Sequence, residues 1–121
     1  MIRFYFELTN DYKNEYSDIL DVEGRFQIVV NERIFFDEPY FPVLEFLMSA
    51  CAWLDANDKT MDMLYDAIET DDNPLIRFVC NNGQWTIHSP WQLFDCDVSF
   101  ERKELECAVL QLKSIVEKQR R

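Results

Sequence analysis

The sequence predicts an α+β fold: a mostly antiparallel sheet of about five or six strands, covered on one face by two main helices. Three observations carry this. Apolar residues alternate with polar ones from the first residues onward. An Asn-Gly pair sits between two alternating runs at 75–89. Two stretches, 42–56 and the last twenty residues or so, repeat apolar side chains at helical spacing. At 121 residues the chain is read as one domain, residues 1–121. One sheet face rich in aromatics needs a cover, which the helices supply.

Taken in order, Ile2, Phe4, Phe6 and Leu8 face one way and Arg3, Tyr5 and Glu7 the other, a half-buried strand. Residues 10–24 are polar and read as a loop leading to a short strand near 17–22. Residues 25–36 form a hairpin in which Phe26, Ile28 and Val30 alternate. A three-residue loop, Asn31-Glu32-Arg33, sets Val30 opposite Ile34 and Ile28 opposite Phe36, all on one apolar face. Pro42 suits the first turn of a helix over 42–56. There Val43, Phe46, Ala50 and Trp53 widen the stripe of Leu44, Leu47, Met48, Cys51 and Leu54 beyond a single face. Residues 60–70 fit either helix (Met61, Leu64, Tyr65, Ile68) or strand (Met61, Met63, Tyr65, Ala67), and the hairpin that follows tips the reading to strand. A type I′ turn at Asn82-Gly83 pairs Cys80 with Trp85, Phe78 with Ile87 and Arg77 with His88. Trp91, Leu93 and Phe94 extend into a further strand or ordered loop. Ser99 is the expected N-cap of a last helix whose stripe is Leu105, Ala108, Val109, Leu112, Ile115 and Val116.

Composition narrows the functional classes. The chain holds 23 Asp plus Glu against 12 Lys plus Arg, a formal charge of −11. The first hundred residues carry nineteen acids and six bases, the remainder four acids and six bases. An acidic body argues against nucleic acid or an anionic membrane as ligand and for a basic protein partner. No apolar run reaches the ~20 residues of a membrane span, and the first residues read as structure rather than a signal peptide, so a cytosolic location is expected. Cys51, Cys80, Cys96 and Cys107 form no CxxC pair and are read as free thiols packed as small hydrophobes.

Catalytic and cofactor patterns are not found. His88 is the sole histidine, and the hairpin register puts it on the face opposite Cys80, so the two form no nucleophile dyad. Residues 55–66 echo a calcium loop, with Asp55, Asn57 and Asp66 at positions 1, 3 and 12. Lys59 at position 5 and Thr60 in place of the turn glycine defeat it. With two glycines there is no phosphate-cradling loop. No cofactor, no metal and no enzymatic activity are expected.

What stands out is an acidic belt, Asp55, Asp58, Asp62, Asp66, Glu69, Asp71 and Asp72, against Lys59 alone. A second acidic patch flanks an aromatic, Asp37-Glu38-Pro39-Tyr40. Both are candidate partner-binding surfaces, able to steer a basic protein and to form Asp–Arg contacts.

With the acidic belt, the Asn73-Pro74-Leu75-Ile76 entry to the hairpin and the Gly83-Gln84-Trp85-Thr86-Ile87 return strand, the chain resembles bacterial immunity proteins of contact-dependent and polymorphic toxin systems. The resemblance is one of size, acidity and layout over the whole chain, and no family residue maps onto a position here. It implies a cytosolic inhibitor that covers the positive cleft of a cognate toxin, a nuclease. The alternative is a regulatory or scaffold domain, homodimeric through the broad apolar surface of residues 43–54.

Overall fold

The computed structural model describes residues 1–9 and 22–120. The element order is β1 (Ile2–Leu8), β2 (Glu23–Val30), β3 (Arg33–Pro42), α1 (Val43–Asp55), β4 (Met63–Tyr65), β5 (Ile76–Asn81), β6 (Gln84–His88) and α2 (Arg102–Gln119). The fold is α+β with six strands and two helices among the described residues. The strands divide into two antiparallel sheets of three, β1-β2-β3 and β4-β5-β6, rather than one continuous sheet. The short strand read near 17–22 falls, except for Val22, outside the described residues.

Each sheet follows from its local sequence. In β1 the alternation is met, with Ile2, Phe4 and Phe6 buried and Arg3, Tyr5 and Glu7 exposed. The first hairpin differs from expectation at its tip. Asn31 (φ 49°) and Glu32 (φ 70°) close a two-residue turn, so Val30 pairs with Arg33 and Val29 with Ile34. A bulge at Phe35 then restores Ile28 opposite Phe36. The extra residue leaves Ile34 exposed while Phe35 and Phe36 are both buried. The second hairpin has the expected register, Arg77 with His88, Phe78 with Ile87 and Cys80 with Trp85, around Asn82 (φ 55°) and Gly83 (φ 80°). Residues 60–70 contribute a strand, with Met63, Tyr65 and Ala67 inward. Trp91 to Phe94 form an ordered loop strapped onto β3: the Leu93 N–H donates to the Phe35 carbonyl at 2.8 Å, and Arg33 stacks 3.9 Å above the Phe94 ring.

Helix α1 follows β3 directly, with Pro42 at the N-cap position rather than inside the first turn. Its wide stripe serves both sheets. The Phe46 ring lies 6.0 Å from Phe4, 5.5 Å from Phe26, 6.0 Å from Phe41 and 5.4 Å from Tyr65. Two helical turns later, Trp53 packs edge-on against Phe78 and Trp85, both at 5.3 Å. Each such ring removed from water contributes about 2–3 kcal/mol, and edge-to-face contacts add to it.

Helix α2 begins two residues later than a Ser99 cap implies. Phe100 is buried and bridges to Trp85 by two backbone hydrogen bonds of 2.9 and 2.7 Å, which holds that segment extended. Glu101 caps instead, in a reciprocal capping box with Glu104, while the Ser99 hydroxyl bonds to the Gln84 side chain. Two polar side chains then fix α2. Arg102 stacks 4.0 Å from the Trp53 ring and donates to the carbonyls of Lys59 (3.0 Å) and Trp53 (3.2 Å). At the other end, the Gln119 amide donates to the Phe6 carbonyl and accepts from the Leu8 N–H, both at 2.7 Å.

Candidate protein-binding face

The acidic belt does not stand as one uniform surface. Asp58 is exposed but its Oδ1 accepts the Thr60 N–H (2.9 Å) and hydroxyl (2.6 Å), and those bonds hold its carboxyl below the usual range. It closes the turn after α1. Asp62 Oδ1 accepts the Cys80 N–H at 2.9 Å, extending the β4–β5 ladder by a side chain. Asp72 Oδ2 accepts the Trp91 indole N–H at 2.8 Å. Asp55, Asp66, Glu69 and Asp71 are exposed, and their carboxylates accept no hydrogen bond from a described residue.

The second patch is likewise divided. Asp37 takes a two-pronged contact from Arg25 (2.9 and 3.2 Å), which holds its carboxyl low. Glu38 is half-buried and pushed up, chiefly by burial and then by neighbouring Asp37. Tyr40 is 67% exposed.

Large apolar side chains lie exposed among the free carboxylates, a feature not anticipated from the sequence. Residues 61–68 run antiparallel beside α1. The Trp53 indole N–H donates to the Met61 carbonyl at 2.8 Å near the helix end. Near its start, Glu45 Oε1 accepts the Tyr65 hydroxyl at 2.6 Å and the Ile68 N–H at 3.4 Å. Burial and the Glu45 carboxylate push the Tyr65 phenol far up, so it stays a donor at any physiological pH. Between helix and segment runs an open trough of about 670 Å³, with buried Trp53 and Met63 in it and Ser49, Ala52, Met61, Asp62 and Leu64 along its sides. Leu64, on its side, is 56% exposed, and beyond the lining the same two elements expose Met48 (62%) on α1 and Ile68 (76%) past β4.

Ile68 is exposed on a pinned loop. Asn73 accepts the Ala67 N–H at 2.8 Å and donates to the carbonyls of Ala67 (3.0 Å) and Thr70 (2.8 Å). The loop is closed from within, with Ala67 buried on one side of its tip and Ile68 outside.

The broad stripe of 43–54, by contrast, is used inside the molecule. Val43, Phe46, Leu47, Ala50 and Trp53 are buried and Leu44, Cys51 and Leu54 pack against the core. Of the stripe, Met48 remains for an outside contact.

His88 lies on β6 opposite Arg77, with Nε2 2.8 Å from the Thr86 hydroxyl. Burial, then the Arg77 charge, push its pKa down, against a smaller opposing pull from Asp95. Cys80 is on the other face of the hairpin. No group of three or more His, Cys, Asp or Glu among the described residues is placed to hold a metal ion. No helix of the described residues is long and apolar enough to cross a membrane.

The family model described as a domain of unknown function (DUF7878) matches residues 3–119, and the chain belongs to that family. No curated protein and no solved structure matches it at a significant level.

Proposed function

We propose that this DUF7878 member is a non-catalytic, cytosolic binding protein that recognises a basic protein, and more specifically an immunity protein that blocks a cognate basic toxin. The observation that carries the reading is the surplus of exposed, internally unused carboxylates, Asp55, Asp66, Glu69 and Asp71, in a chain of net charge −11. An acidic face attracts a positive cleft over roughly a Debye length and speeds encounter. A nuclease holds its substrate's phosphates with just such a cleft, so covering it inhibits without chemistry.

The test is to read the neighbouring genes for one ending in a short basic domain, whose absence would sink the reading, and then to express that domain and mix the two purified proteins. A stable complex that suppresses the domain's nuclease activity, with an association rate falling at least tenfold from low to physiological salt, is expected. A salt-independent association rate, or an undiminished nuclease, would overturn it.

A further inference from the structure

We infer that the partner docks on the trough between α1 and the 61–68 segment, contributing an apolar side chain to the trough and Lys or Arg side chains to its acidic surround. This rests on the basic-partner reading and names the surface that serves it. The occupant follows from two properties found together. The surface offers apolar contact area in Met61 and Leu64, which line a concavity whose helical side includes the small side chains Ser49 and Ala52, and in Met48 and Ile68, exposed further along the same two elements. Its surround is mostly acidic: Asp55, Asp62, Asp66 and Glu69 stand against Arg77, exposed across the strand pair from Leu64, and Lys59, whose ammonium is engaged with the Leu54 carbonyl at 3.0 Å.

A purely electrostatic landing site has no use for exposed Ile and Leu. A purely apolar one gains nothing from four carboxylates. A basic partner with an apolar anchor uses both, and a second copy of this acidic chain is disfavoured by like-charge repulsion. Preorganisation supports the same conclusion. The backbone at Ile68 is held by its own N–H to Glu45 and by Asn73 on neighbouring Ala67, so little backbone ordering entropy remains to be lost when a partner covers it.

Two substitutions separate this surface from simple charge attraction. Ala52→Glu fills the trough while making the face more acidic. Ile68→Ser removes an apolar contact and leaves the charge unchanged. Both positions are exposed, so folding is retained, which circular dichroism checks. The probes are two synthetic peptides of equal positive charge, an amphipathic Leu/Lys helix and a Ser/Lys peptide without apolar residues.

Expected is binding of the Leu/Lys peptide with amide shifts clustered at 48–52 and 61–68 in the nitrogen-15 spectrum. Both substitutions should weaken it about tenfold, and the Ser/Lys peptide should bind at least tenfold more weakly. Equal binding of the two peptides, tighter binding by Ala52→Glu, or shifts centred on 37–40 would overturn the surface. So would a concentration-dependent dimer of the protein alone that Ile68→Ser abolishes. The two readings fail separately: a toxin domain bound equally by wild type and both variants removes this surface and leaves the immunity reading, whereas no inhibition of that domain removes the immunity reading.

Discussion

Replacing Arg102 tests how the two helices are held together. Its guanidinium lies 4.0 Å from the Trp53 ring and 5.5 Å from that of Trp85. It donates to the carbonyls of Trp53 and Lys59, and its side chain is 14% exposed. The Trp53 carbonyl is at the C-terminal end of α1, where a cation also meets the negative end of the helix dipole. Hydrogen bonds from a charged donor contribute about 1.5–3 kcal/mol each, and a half-desolvated cation–π contact about 1 kcal/mol. These contributions share one group and are not additive, so Arg102→Ala should cost about 3 kcal/mol. The Glu106 ion pair, at 34% exposure of the acid, adds little. With an unfolding entropy of about 2.1 cal/mol/K per residue, the midpoint should fall by roughly 12 °C. Arg102→Lys keeps the charge but not the planar fork and should recover less than half. Arg102→Met keeps most of the stem packing and should resemble Ala. Thermal melts followed by circular dichroism and tryptophan emission measure all three. Met equal to wild type would refute the reasoning, since the stem rather than the guanidinium would then be what matters.

Four other outcomes are expected. Gly24→Ala should cost about 2 kcal/mol in urea denaturation, because a Cβ there meets the Glu7 backbone oxygen and Phe6 ring carbons at 2.6 Å. Phe46→Ala, which removes the ring shared by four aromatic neighbours, should cost about 4 kcal/mol by the same assay. His88 has a folded pKa below its unfolded value, so its stabilising contribution is full above about pH 6.5 and declines as pH falls, because the unfolded chain takes the proton first. Urea midpoints between pH 7.5 and 5.5 should drop in wild type and flatten in His88→Gln. Gln119→Ala should cost about 1 kcal/mol and accelerate amide exchange at Leu8, read by hydrogen-exchange NMR.

Much of the fold was legible because local rules and tertiary packing agree there. Asn82-Gly83 dictates a turn, and the apolar alternation on both sides admits one register. The first hairpin departs by one residue at its tip from what the alternation predicts, because Asn31-Glu32 adopts positive φ without a glycine and a bulge at Phe35 absorbs the shift. Neither has a strong sequence signature. The division into two sheets was hidden for another reason: α1 is apolar on several sides whether it covers one sheet or joins two.

The candidate face was half legible. Charge pointed to the 55–72 belt, but Asp58, Asp62 and Asp72 accept hydrogen bonds within the molecule, which composition cannot reveal. The apolar part did leave a trace. Residues 60–70 fit both helix and strand because Leu64 is apolar at the outward position of β4 and Ile68 is apolar on the loop beyond it. An ambiguous period in an otherwise well-patterned chain was the mark of side chains not required by the core.

The bond that Gln119 makes with β1 has a consequence for synthesis. Its two partners, Phe6 and Leu8, lie 113 and 111 positions earlier in the chain. While a ribosome makes the chain, β1 through β6 emerge with the outer edge of β1 still uncovered, since α2 follows last. The stretch from His88 to Gln119 is about thirty residues, or roughly two to six seconds of elongation. During that interval neighbouring nascent chains on one message can meet edge to edge. Translation slowed after β6 should therefore raise the aggregated fraction more than the same delay placed within β1.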